Sequence, residues 1–87
     1  MTKAEILAQV KKGLGITTNY QDDTLNVYID DVIAFITSAG VPSDVAMSEA
    51  AVGCILRGVT DLWNYSSGTA KFSKVFEMRV IQLAARG

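Results

Sequence analysis

Residues 43–65 (SDVAMSEAAVGCILRGVTDLWNY) place apolar side chains around most of the circumference of an α-helix. Two stripes recur at spacings of three and four residues: Met47, Ala51, Cys54, Ile55, Gly58, Leu62 and Tyr65, and beside them Val52, Leu56, Val59 and Trp63. A helix that is apolar on most of its sides is usually buried. We therefore expect one long helix, from Ser43 or Asp44 to about Tyr65, to form the centre of a helical domain.

Two glycines, Gly53 and Gly58, lie inside this segment. A glycine in the interior of a helix costs about 1 kcal/mol relative to alanine. Both positions therefore favour places where another helix approaches the backbone closely, and a flexible or kinked helix is the alternative interpretation.

A first amphipathic segment covers about residues 3–12. Thr2 and Glu5 fit a capping box at its start, and Gly13 or Gly15 can supply a left-handed residue at its end. Its apolar stripe is narrow and consists of Ile6, Leu7, Val10 and Leu14.

A second segment covers residues 22–38, and we expect Asp22 or Asp23 to cap its N-terminus. Gly40 and Pro42 follow it and prevent its continuation. The apolar residues recur at helical spacing: Leu25, Tyr28, Ile29, Val32, Phe35 and Ile36.

The polar stretch 64–70 (NYSSGTA) predicts a loop, and a last helix is expected over residues 71–85. Its apolar residues are expected to face one way, with Ile81 beside them: Phe72, Val75, Phe76, Val80 and Leu83. No pair of strands is predicted. The predicted fold class is therefore all-α: a compact four-helix domain with a short N-terminal helix, two long amphipathic helices and a C-terminal helix.

The composition is more apolar than a core of this size needs. The 87 residues are 49% hydrophobic, with a mean hydropathy of +0.26. A domain of this length buries only about 60–65% of the surface that its unfolded chain exposes. We therefore expect one domain over residues 1–87, with part of its apolar surface facing another subunit. Neither an apolar signal region nor a membrane span is expected.

Few residues of this chain could perform chemistry. Histidine is absent and Cys54 is the single cysteine, so the usual catalytic base and a thiolate metal site are both missing. We expect Cys54 to be a small core residue. Asp22-Asp23 and Asp30-Asp31 could bind a divalent cation, but adjacent helical residues do not face the same way. The sequence therefore predicts a protein that is not an enzyme and that has no cofactor or metal site.

Charge is distributed unevenly along the chain. Residues 16–50 carry six acidic residues and no basic residue, whereas residues 1–15 and 71–87 are net basic. An acidic middle and basic ends suit head-to-tail association of identical chains. Pairing of these charges within one monomer, on solvated helix faces, is the alternative.

Nucleic-acid binding is a second class of function to weigh. A recognition helix should expose donors to base edges, and the central segment is too apolar for that role. Lys11 and Lys12 could touch phosphate, but they also compensate the dipole at the end of a helix. With a net charge of −1, a small helical nucleic-acid-binding or regulatory domain is kept as the alternative function.

Several motifs follow one another in a recognisable order. An acidic helix start at 21–25 (QDDTL) is followed by 40–42 (GVP), by an aromatic helix end at 61–65 (DLWNY), by a polar loop around Gly68 and by the closing segment 80–87 (VIQLAARG). Together with the short first helix, this order resembles the small head–tail connector proteins of tailed phages and prophages. The resemblance covers nearly the whole chain.

The resemblance implies a subunit of the virion neck that forms a ring of about twelve copies with itself. The ring would dock on the portal protein, extend the DNA channel and provide a platform for the next connector or a tail-completion protein. Assembly would take place in the host cytoplasm, with no membrane and no sequence-specific DNA binding.

Portal docking is a separate expectation. Many members of the family continue past the last helix into a tail that reaches the portal, whereas this sequence ends at Gly87. Docking is therefore expected to use another segment, such as the loop 64–70. The residues proposed for it are Ser66, Ser67, Gly68 and Thr69.

For the ring itself, we expect the acidic second helix of one copy to meet the basic last helix of its neighbour. The proposed participants are Asp30, Asp31, Arg79 and Arg86. A structural dimer with a symmetric interface around Met47, Val52 and Val59 is a further alternative.

Overall fold

The computed structural model describes residues 1–64 and 74–86, and all regular structure within these ranges is helical. In chain order the elements are α1 (Lys3–Leu14), α2 (Asp22–Ser38), α3 (Ser43–Ala46), a 3₁₀ turn (Glu49–Ala51), α4 (Val52–Asn64) and α5 (Lys74–Arg86). The four long helices are α1, α2, α4 and α5. The predicted all-α fold is confirmed.

Both ends of α1 follow from local sequence. The Thr2 hydroxyl accepts a hydrogen bond from the Glu5 backbone N–H at 3.2 Å, and the Glu5 carboxylate accepts one from the Thr2 N–H at 2.9 Å. The predicted capping box is therefore confirmed. At the other end, Gly15 adopts a left-handed conformation with φ of 74°, while Gly13 remains helical.

The start of α2 differs from the prediction. Gln21 occupies the cap position and makes no side-chain cap hydrogen bond, and Asp22 and Asp23 lie in the first turn. Their charge is still favourable there because of the helix dipole. Asp22 instead accepts a hydrogen bond from the Lys11 ammonium group at 2.8 Å, so its carboxylate joins two helices rather than capping one.

The expected long helix over residues 43–65 is interrupted, and this prediction is wrong. The backbone of Ser48 is extended, with φ of −92° and ψ of 166°, which separates α3 from α4. The Ser48 hydroxyl donates to the Val45 carbonyl at 2.6 Å. Serine side chains compete with helical hydrogen bonding in this way. The Met47 carbonyl accepts a hydrogen bond from the Met1 amino group at 2.8 Å.

The core lies around α4, which contacts α1, α2 and α5. The largest fully buried side chains come from all four long helices: Phe76, Ile6, Leu25, Ile29, Ile36 and Ile55. Trp63 is half-buried and makes an edge-to-face contact with Tyr28, with ring centroids 6.4 Å apart. The core therefore depends on α4 being apolar on most of its sides, as its sequence indicates.

Candidate assembly surface

Within residues 1–64 and 74–86, no group of three or more His, Cys, Asp or Glu side chains is placed to hold a metal ion. None of the helices described is both long enough and apolar enough to span a bilayer.

Cys54 is a core residue, as predicted. Its relative exposure is 5%. Burial raises the pKa of the Cys54 thiol, and the nearby positive charge of Arg79 opposes this only in part. Because the thiolate is the nucleophilic form, this environment makes Cys54 a poor nucleophile.

The acidic residues of α2 divide into neutralised and unpaired groups. Asp30 forms an ion pair with Lys3 of α1, and Asp22 pairs with Lys11, whose ammonium group also donates to the Asn19 side chain. These are the intramonomer pairs that the alternative interpretation of the charge pattern expected. Asp31 has no ion-pair partner among the described residues and is exposed.

Asp31 lies on the solvent-facing side of α2. Val27 precedes it by four residues and is 57% exposed, and Ala34 follows it by three residues and is also exposed. Residues at these spacings share one side of a helix. We call Val27, Asp31 and Ala34 the α2 ridge, which carries one carboxylate between small apolar side chains.

The register of α5 differs from the expected one. Phe76, Val80 and Leu83 are buried as predicted, but Val75 is 51% exposed and Ile81 is 68% exposed. At 100° per residue, Val75 and Ile81 lie to either side of the stripe formed by the other three. With Met78, which is 60% exposed, they leave apolar surface on the outside of the molecule. Counting 100° per residue from Phe76 along the sequence would have predicted that Val75 and Ile81 face away from the core.

A groove opens between α4 and α5, with a volume of about 350 Å³. Its lining residues are Gly53, Leu56, Arg57, Thr60, Val75 and Arg79. We call it the α4/α5 groove. Its walls combine apolar surface with two guanidinium groups, so it suits a ligand with both an apolar part and a carboxylate.

The two arginines of this groove differ in their environment. Arg57 lies 3.7 Å from the carboxylate of Asp61, which is itself buried. Arg79 is exposed and has no ion-pair partner within the described part of the chain. Its guanidinium lies across α4 at Gly53, where an added Cβ would be 3.7 Å from Arg79 Nη1.

Gly53 and Gly58 were predicted to mark close helix contacts, and only Gly58 does so in this monomer. A Cβ at Gly58 would lie 2.6 Å from Phe76 and 2.9 Å from Val32. Gly53 is exposed, and an added Cβ would meet only the Arg79 side chain at an ordinary distance. Packing among the described residues therefore does not require glycine at position 53, which lies in the first turn of α4.

The residues proposed from sequence are thus not brought together within one chain. Asp31 lies on α2 and Arg79 on α5, both exposed. Arg86 is the last residue of α5, and its side chain lies outside the described part of the structure. The loop residues also lie outside it: Ser66, Ser67, Gly68 and Thr69. Val59, proposed for a symmetric dimer, is fully buried and is not available to a partner.

Comparison with known protein families gives a match over nearly the whole chain. The family described as phage gp6-like head–tail connector proteins matches residues 5–86 of this chain. Neither the comparison with curated proteins nor that with solved structures gave a match.

Proposed function

We propose that this chain, which belongs to the family of phage gp6-like head–tail connector proteins, assembles with copies of itself into a ring of about twelve subunits below the portal. As a member of this family, it is a structural component of the virion neck. The proposed ring extends the DNA channel and provides a platform for the next connector or a tail-completion protein. Assembly takes place in the host cytoplasm, without catalysis.

The observation that carries the proposal is the family match over nearly the whole chain. The exposed apolar surface supports it physically. Val75, Met78 and Ile81 are each more than half exposed on α5, and apolar surface of this kind is typical of a protein that associates with others.

Among the described residues, Asp31 on α2 and Arg79 on α5 have no ion-pair partner and lie on different helices, which supports association between copies. Because Lys3 neutralises Asp30 within the monomer, Asp31 is the acidic residue that we propose for subunit contacts. Arg79 is its proposed counterpart, with Arg86 at the end of the same helix. A contact between two different surfaces of identical chains produces a closed ring if its rotation permits.

Contacts with the portal are proposed for the loop that contains Ser66, Ser67, Gly68 and Thr69. This proposal depends on the family resemblance and on the polar composition of the loop. DNA is proposed to pass through the ring without specific contacts. A channel lined by acidic side chains would offer no phosphate contacts and would let DNA slide.

The direct test is an assembly assay with phage heads. Phage particles made without this protein are expected to accumulate as DNA-filled heads that lack tails, and the purified chain is expected to restore tail attachment in an extract. Tail attachment in the complete absence of the chain would overturn the proposed function. Electron microscopy of the particles provides the measurement.

Native mass spectrometry tests the ring separately. Over a concentration series at low and moderate salt, a species of about twelve subunits is expected, alone or after addition of portal protein. Salt-dependent binding of duplex DNA at micromolar concentration, without any assembly, would instead support the nucleic-acid-binding alternative.

A further inference from the structure

We propose that the α4/α5 groove receives the α2 ridge of a neighbouring copy, with Asp31 of that copy paired with Arg79. This inference rests on the proposed function and specifies which surfaces of the subunit meet. It assigns Gly53 a role in assembly, because the missing side chain lets the neighbouring helix approach α4.

The receiving surface is the α4/α5 groove. Gly53, Arg57 and Thr60 recur at helical spacing and share the outer side of α4. The groove above them is open, and Arg79 extends across Gly53. An added Cβ at Gly13 or at Gly58 would lie less than 3.0 Å from a side chain of this monomer, whereas an added Cβ at Gly53 would not. Gly53 is thus a small residue at a position where packing among the described residues does not require one.

The proposed occupant of the groove is the α2 ridge of a neighbouring copy. The α2 ridge presents the carboxylate of Asp31, which lacks a partner among the described residues, between the small side chains of Val27 and Ala34. The groove presents the guanidinium of Arg79 beside the apolar side chain of Val75. Charge and size are therefore complementary between these two surfaces of the same chain. Complementary charges fix the partner and the register of an interface.

The ridge and the groove allow a head-to-tail contact between identical copies. The ridge belongs to α2 and the groove to α4 and α5, and the two surfaces share no residue. Each copy can donate its ridge to one neighbour and accept the ridge of another at the same time. A head-to-tail contact of this kind closes into a ring if its rotation permits, and otherwise produces an open filament.

Steric variants test the groove. Gly53→Leu fills the groove from the solvent side, and Gly53→Ala serves as the matched control because it adds only one carbon. Both are expected to keep the helical circular dichroism spectrum, since leucine and alanine are better helix formers than glycine. In sedimentation experiments, Gly53→Leu is expected to weaken self-association by about tenfold or more, whereas Gly53→Ala is expected to weaken it much less.

Charge variants test the pairing of the two surfaces. Arg79→Glu alone and Asp31→Arg alone are each expected to weaken self-association by about tenfold at low salt. Mixing the two variants is expected to restore it, because the glutamate introduced in one copy meets the arginine introduced in the other. Lys12→Glu, on the exposed side of α1, makes the same change in net charge as Arg79→Glu and is the control for that variant.

The inference is overturned if the Gly53→Leu chain associates as strongly as the wild type or if the mixed charge variants fail to associate. It is also overturned if the wild-type chain stays monomeric at millimolar concentration. Binding of duplex DNA that Arg79→Glu abolishes would assign the groove to nucleic acid instead. The phage-head assay separates this inference from the proposed function, because a Gly53→Leu chain that still attaches tails rejects the groove and retains the function.

Discussion

Gly58 of α4 lies directly against the ring of Phe76 of α5. A Cβ at position 58 would be 2.6 Å from Cε1 of Phe76 and 2.9 Å from both methyl groups of Val32 on α2. The three helices therefore meet at a point where only a hydrogen atom fits. Phe76 is fully buried there and also contacts the ring of Phe35, with centroids 5.6 Å apart.

We expect Gly58→Ala to destabilise the protein by roughly 1–3 kcal/mol, because overpacking at this point outweighs the better helix propensity of alanine. Urea unfolding followed by circular dichroism measures the change. Gly53→Ala is the matched control on the same helix, and its effect is expected to stay within about 0.5 kcal/mol because Gly53 is exposed in the first turn of α4. Equal changes in the free energy of unfolding at positions 53 and 58 would contradict the close contact of Gly58 with Phe76 and Val32.

The Lys11 side chain ties α1 to the start of α2. Its ammonium group donates to Asp22 at 2.8 Å and to Asn19 at 2.9 Å and is largely shielded from solvent. We expect Lys11→Met to lower the free energy of unfolding by roughly 1–2 kcal/mol, because two hydrogen bonds of a charged group are lost.

Lys12→Met is the control for this prediction, since Lys12 is exposed. Its effect is expected to stay within about 0.5 kcal/mol. Chemical denaturation at moderate salt compares the two variants. If the Lys11 variant is as stable as the Lys12 variant, the hydrogen bonds from Lys11 to Asp22 and Asn19 contribute nothing to the free energy of unfolding.

The capping box predicts a dependence of stability on pH. The hydrogen bond from the Thr2 backbone N–H lowers the pKa of Glu5 below its ordinary value. Glu5 therefore contributes stability above its unfolded-state pKa, and this contribution is lost as the pH falls through the lowered pKa of the folded state.

Glu5→Gln keeps a side chain that can accept the hydrogen bond but does not titrate. Between about pH 5 and pH 3, the wild-type thermal midpoint is expected to fall more than that of the variant. Thermal melts at matched pH values give the comparison. Parallel curves for the two proteins would rule out a contribution from Glu5.

The thiol of Cys54 is expected to react slowly in the folded protein. It is buried, and its pKa is raised by that burial, so little thiolate is present or accessible at neutral pH. Alkylation followed by mass spectrometry should show slow labelling of the native chain and rapid labelling in denaturant. Rapid native labelling would place the thiol in contact with solvent.

Local sequence predicted the parts of this fold that depend on near neighbours. The Thr2–Glu5 box and a left-handed glycine at position 13 or 15 involve residues a few positions apart. The structure contains the box and has Gly15 as the left-handed residue. The interruption at Ser48 was missed because the apolar pattern continues across it. There the backbone follows the hydrogen bonds of Ser48 and Met47 rather than the apolar spacing.

The candidate assembly surface was only partly predictable for a related reason. Asp31 and Arg79 could be proposed from charge, but Asp30 could not be separated from Asp31 until Lys3 was located beside it. Gly58 belongs to an apolar stripe in the sequence and Gly53 does not, yet both glycines were expected to mark close helix contacts. The positions of α2 and α5 decide between them, since those helices cover Gly58 and leave Gly53 open.

The amino-acid sequence by itself determined that this chain is helical, that a capping box begins α1, that α2 ends before Gly40 and Pro42, and which family the chain belongs to. These features depend on periodicity, capping and motif order along the chain. The tertiary structure alone decided which charges are neutralised within the monomer and which apolar residues of α5 face outward. Both depend on the distances between helices and on the rotation of each helix about its axis, and these distances and rotations follow from how α1, α2 and α5 pack together around α4.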